Sequence, residues 1–154
     1  MPFGPTLAGL CWAGAAGVAL AFTDAAVHRL PNRLIATGTI GALVAFTAAT
    51  ATSGDWSRLG TACLSALGLS GIYLLVALVL PGFGLGDVKL ALLVGLTAGW
   101  FGFATVAGAA VVAILINGAA AVAVAIRRGD LSGSIAHGPS MLVGTLVAIL
   151  ASGL

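Results

Sequence analysis

Charges are so sparse in this chain that they cut it into uncharged stretches covering 1–23, 34–54, 59–86, 90–126 and 131–154. About 20 residues at roughly 1.5 Å each carry a helix across some 30 Å of hydrocarbon, so every stretch can cross a bilayer. The fourth is too long for one crossing, since a straight helix through it would measure roughly 55 Å. Folding back at Gly99-Trp100-Phe101-Gly102 turns it into two crossings, the first rather short, and sets an aromatic pair at a membrane interface. The expected architecture is all-α: a polytopic membrane protein of six transmembrane helices forming one domain over residues 1–154.

Composition supports this class. Of 154 residues 60% are hydrophobic and only 6% charged, whereas about a quarter are charged in soluble domains. The spans leave no room for an appended soluble domain. Six basic and four acidic residues give a formal charge of +2, too few and too scattered to form a nucleic-acid surface. Lipid is the expected surroundings, and nucleic acid is excluded as a partner. Cys11 and Cys63 each lie inside an apolar run with no Cys-x-x-Cys spacing, so they read as small buried hydrophobes. The N-terminus lacks a basic region ahead of its apolar run, which reads as a retained first span and not a cleaved signal.

Charge placement gives an orientation. With six spans, Arg29, Arg33, Lys89, Arg127 and Arg128 fall on one side and Arg58 alone on the other, the asymmetry that marks a cytoplasmic face. A five-span reading divides them evenly. Loops at 24–33, 82–89 and 127–138 are therefore expected in the cytoplasm, with both termini outside. The many glycines suit close helix contact in lipid, and Gly95 and Gly99 form a small-xxx-small pair of the packing kind.

The acids are Asp24, Asp55, Asp87 and Asp130. Asp55 and Asp130 sit in polar turn sequences and read as solvated turn or capping residues. Asp24 and Asp87 differ, because apolar sequence runs directly up to them. Asp24 is expected on the last turn of the first helix, where the helix dipole and burial both disfavour a carboxylate. Asp87 follows a glycine-rich turn and is expected on the first turn of the fourth helix, where the dipole favours it. Both belong to the cytoplasmic end, so folding can bring them together. Two carboxylates in a low-dielectric site can share a proton, one activating water while the other donates to a scissile carbonyl. Alternatively each is neutralised separately, Asp24 by His28 or Arg29 and Asp87 by Lys89 or backbone amides.

Three segments carry a resemblance. Asp24-Ala-Ala-Val-His-Arg-Leu-Pro31-Asn32 is similar to the first motif of the prepilin peptidases, an aspartate followed by a hydrophobic-Pro-Asn turn. Gly84-Leu-Gly86-Asp87-Val-Lys89-Leu90 resembles their Gly-x-Gly-Asp-x-Lys signature, whose core is shared with presenilin-type intramembrane aspartyl proteases. Ala136-His137-Gly138-Pro139-Ser140 resembles the segment opening their last helix, with His137 where phenylalanine is usual. The segments occur in order and span nearly the whole chain. The resemblance implies an aspartic endopeptidase of the inner membrane, its active site facing the cytoplasm. It would remove the basic leader of type IV prepilins or pilin-like precursors, with Asp24 and Asp87 as the catalytic pair. Pro31 and Asn32 would shape the turn into the second helix. Gly84 and Gly86 would admit substrate backbone, Lys89 would sit beside the second acid, and His137 would help shape the site. The chain resembles the short, tight-adherence members, which lack the Cys-x-x-Cys insertion of larger relatives; N-methyltransferase activity is not expected.

No metal or organic cofactor is expected, because water and two carboxylates suffice for hydrolysis. Residues 82–86 lack the Gly-Lys-Ser/Thr ending of a phosphate loop. The competing reading from another class is a small ion-coupled transporter in which two intramembrane aspartates bind the ion.

Overall fold

The computed structural model describes residues 3–27, 31–79, 84–128 and 137–153. These form six helices: α1 (Phe3–Val27), α2 (Asn32–Ser53), α3 (Trp56–Val79), α4 (Leu85–Gly99), α5 (Phe103–Arg128) and α6 (Gly138–Ala151). No strand occurs among the described residues. Four helices, α1, α2, α3 and α5, are long and apolar enough to cross a membrane. With their exposed leucines, isoleucines and valines they make this an integral membrane protein. α4 and α6 are shorter, at 15 and 14 residues.

The helices are turned inside out relative to a soluble bundle. Along α3 the inward stripe is Ala62, Ser65, Ala66, Leu69 and Tyr73. Leu64, Leu67, Ile72, Leu75 and Leu78 are exposed on the opposite face. Between helices in lipid, attraction comes from close packing, because leucine gains little by leaving lipid for protein. Small side chains therefore turn inward and large ones outward.

α4 is the centre of the assembly. It packs against each of the other five helices, and every residue from Leu93 to Trp100 is buried. Its tightest contact is with α3. A Cβ added at Gly95 would lie 2.6 Å from the Ala66 Cα and 2.7 Å from the Ser65 carbonyl oxygen, and one at Gly99 would lie 2.5 Å from the Ser65 Cβ. Backbone thus approaches backbone where the Gly95/Gly99 pair stands. Farther along, the Ser70 hydroxyl donates to the Val88 carbonyl at 2.8 Å, which fixes the sliding register of α4 on α3.

The ends of the elements follow their local chemistry. α2 stops at Gly54, whose φ of 75° is the left-handed conformation that glycine adopts without a Cβ penalty. Asp55 then accepts from the Ser57 hydroxyl at 2.8 Å and the Arg58 amide at 3.2 Å, capping α3. Those hydrogen bonds, Ser57's first, hold its carboxyl below the usual carboxylate range. The turn between α4 and α5 falls at Trp100-Phe101, closed by Gly102 at φ 114°. Contrary to the expected aromatic pair at the interface, Trp100 turns inward. It is buried and stacked on Phe46 with ring centroids 4.5 Å apart, and the Arg58 guanidinium lies 5.8 Å over it. Cys63 is half-buried as a packing residue, but Cys11 faces outward.

Because α3 and α4 meet backbone to backbone, Gly95→Ala is expected to destabilise the protein by about 1–3 kcal/mol, the usual cost of overpacking. Gly60→Ala, with open space around its Cβ, should not. Unfolding of the two variants in detergent checks the contrast.

Candidate functional site

Up-and-down connectivity puts the last turns of α1, α3 and α5 at the same end as the first turns of α2, α4 and α6. Asp24 and Asp87 both lie there. Asp24 is on the last turn of α1 and only 7% exposed. Its Oδ2 accepts a hydrogen bond of 3.1 Å from the Gly138 amide, the first residue of α6. A helix N-terminus carries unpaired amides and the positive end of the dipole, so it suits a carboxylate. The cost of an acid at the end of α1 is thus offset by the start of α6. Arg29 and His28, the other candidates for that role, lie outside the described residues.

Gly138 leaves no spare room. A Cβ there would sit 2.7 Å from the Asp24 Oδ2 and 3.3 Å from its Cγ. The absence of a side chain at 138 is what lets the amide reach the acid. Pro139 follows at the start of α6, where its fixed φ suits a first turn and its missing N–H is no loss.

Asp87 occupies the first turn of α4 and is half-buried. Gly84 is the N-cap, and its carbonyl accepts from the Asp87 amide at 3.1 Å. The Gly84 φ of −77° is open to any residue, and a Cβ there would meet Asp87 Oδ2 at an ordinary 3.6 Å. Helix packing therefore does not demand glycine at 84. Gly86 is half-buried beside it. The charge of Asp24 acts on Asp87, so the two acids are within electrostatic reach across the bundle.

Lys89 does not neutralise Asp87. Its ammonium donates to the Asn32 side-chain oxygen at 2.8 Å, tying the start of α4 to the start of α2. Pro31 is the N-cap of α2, and its carbonyl accepts from the Leu34 amide at 3.0 Å and the Ile35 amide at 3.2 Å. The one ion pair among the described residues is Arg58 with Asp55, at the far end of the bundle. Asp24 and Asp87 therefore carry no salt bridge to any described cation. A cavity of about 330 Å³ also opens at that far end, between Asp55, Arg58, Thr61 and Trp100, away from both acids.

His137, the residue before Gly138, sits at the N-cap of α6 without a side-chain capping bond. Its Nε2 lies 2.9 Å from the Tyr73 hydroxyl of α3. The pair lies at the acid end of the bundle, next to the Gly138 amide that binds Asp24. Tyr73 was not among the residues singled out from the sequence. A signal was present: it is the only tyrosine in the chain, within an otherwise aliphatic part of its span.

Fold and site together define an all-helical integral membrane protein with two acids, unpaired by described cations, gathered at one end. The chain belongs to the type IV leader peptidase family, whose model matches it over residues 11–151. It is accordingly a protease, of aspartic type as in this family, and its substrates are of the prepilin type. Neither the curated proteins nor the solved structures contain a match.

Gly138→Ala is expected to push the Asp24 carboxylate away from the residue-138 amide that donates to it. A hydrogen bond to a charged group is worth about 1.5–3 kcal/mol, so leader cleavage should fall roughly ten- to a hundredfold. The ratio of cleaved to uncleaved prepilin over time measures this.

Proposed function

We propose that the protein is an aspartic endopeptidase that removes the basic leader from type IV prepilins or pilin-like precursors, using Asp24 and Asp87 as its catalytic pair. The observation that carries this reading is the convergence of the two acids: separate in sequence, within electrostatic reach in the fold, and neither salt-bridged to a described residue. Two carboxylates that only stabilised the fold would gain by pairing with cations, and Lys89, two residues from Asp87, bonds Asn32 instead.

In the proposed reaction water is the nucleophile. One carboxylate takes a proton from water as its oxygen attacks the scissile carbonyl carbon. The other, protonated, donates to the carbonyl oxygen, giving a neutral diol. Collapse of the diol breaks the C–N bond: the leaving nitrogen takes a proton from the acid that had accepted one, and a diol hydroxyl returns its proton to the carboxylate that had donated one. The Gly138 amide engages Oδ2 of Asp24, and the proposal assigns the proton transfer to its other oxygen. Gly84, exposed, and Gly86, half-buried, have no side chains and leave backbone beside Asp87 where a peptide can lie.

We place the acid end at the cytoplasmic face of the inner membrane, with six spans, one domain and both termini outside. Arg33, Lys89 and Arg127 lie at that end and Arg58 at the other, the charge asymmetry of an inward-facing surface. The family match favours a peptidase and lends nothing to an ion-coupled transporter.

Asp24→Asn and Asp87→Asn should each lower cleavage of a co-expressed prepilin by at least about 10²-fold, the scale of lost general acid–base catalysis, while both variants still insert. Normal cleavage by either variant, read by gel mobility, would falsify the assignment. If the acids share one proton, the rate should also fall on both sides of a pH optimum, with apparent pKa values belonging to the pair. A rate changing in one direction only across the acid range would count against proton sharing.

A further inference from the structure

The proposed site depends on an amide at the very start of α6, and helix starts fray unless something holds them. The Asp24 carboxylate supplies one attachment. Ser140, in the same turn, donates its hydroxyl to the Asn117 side-chain oxygen of α5 at 3.4 Å. The attachment nearest Gly138 in sequence is the hydrogen bond between Tyr73 and His137, 2.9 Å long, with the rings tilted at 32° and their centroids 5.7 Å apart. It joins helices that have no packing contact of their own: α3 and α6 are separated by α4. Tyr73 is buried on the inward face of α3, and α3 is locked to α4 through Gly95, Gly99 and Ser70. The tether therefore runs from the close α3–α4 contact to the residue next to Gly138.

We propose that Tyr73 and His137 act together as a positioning pair, holding the first turn of α6 against α3 so that the Gly138 amide stays on Asp24. The inference rests on the catalytic assignment above and deepens it. The geometry serves either imidazole tautomer, because the hydroxyl donates to a bare Nε2 and accepts from a protonated one. In this chain the aspartate of α1 and the aspartate of α4 are then held in one frame. Asp87 is fixed by α4 on α3, and Asp24 is fixed by α6 through His137 to that same α3.

The test uses the full chain in nanodiscs and reads hydrogen exchange at the Gly138 amide beside prepilin cleavage. Tyr73→Phe and His137→Phe keep the rings and delete the bond. Each should speed exchange at Gly138 about tenfold or more and lower kcat by a similar factor with KM unchanged. The double variant should be no worse than either single one. His137→Gln, whose amide reaches about as far as Nε2, should restore both readouts. Unfolding in detergent confirms that each variant is folded. Unchanged Gly138 exchange in Tyr73→Phe overturns the proposal, as does a His137→Gln variant no better than His137→Phe. A wild-type protein that fails to cleave prepilin would sink the peptidase reading instead, while exchange at Gly138 would still decide whether the pair holds α6.

Discussion

The contact on which this structure depends is the seam between α3 and α4, where Gly95 and Gly99 let a helix lie against Ser65 and Ala66 closer than any side chain would allow. It does more than join two neighbours. α4 is too short to dominate a bundle by length, yet its burial makes it the element against which all the others are arranged. In lipid the gain from such a seam is dispersion between many close atoms, each contributing only about 0.1–0.2 kcal/mol, so it survives only where no atom is out of place. Asp87 rides on the first turn of that helix. Its position is therefore as well determined as the seam.

Asp24 is held differently. Its helix would by itself disfavour the charge, and the compensation comes from the opposite dipole of α6, which is close in space and 114 residues away in sequence. Two acids are thus placed by unrelated means, one by packing and one by an amide. Neither carboxylate is ion-paired to a cation among the described residues. A salt bridge would hold both in the ionised form, whereas the general acid–base work proposed for them needs one protonated.

Much of this was legible in the sequence. Uncharged length and charge spacing indicate six helices, and the fold-back at residues 99–102 appears where the length of the fourth stretch demands a turn. The positions of Asp24 and Asp87 on a last and a first helical turn also follow from where apolar sequence stops. Other features were not readable, for a physical reason: they are contacts between segments far apart in the chain. Nothing local tells Lys89 to choose Asn32 over Asp87, or Trp100 to turn inward onto Phe46. Tyr73 is the clearest case, since its partner His137 lies 64 residues away and no motif includes it. The family signatures mark the acids and glycines but say nothing of what holds them.

The shortness of α6 has a consequence for the lipid around it. Fourteen residues rise only about 21 Å, some 9 Å less than a typical hydrocarbon layer. Val143, Leu146, Val147 and Leu150 are exposed on its outer side, so lipid tails meet this helix directly. A bilayer matched to α3 or α5 is thicker than this helix is long, a mismatch that costs fractions of a kcal/mol per ångström. The short helix thus sets the hydrogen-bonded Asp24 near the lipid-exposed α6 side chains, because Gly138 begins a helix only 14 residues long.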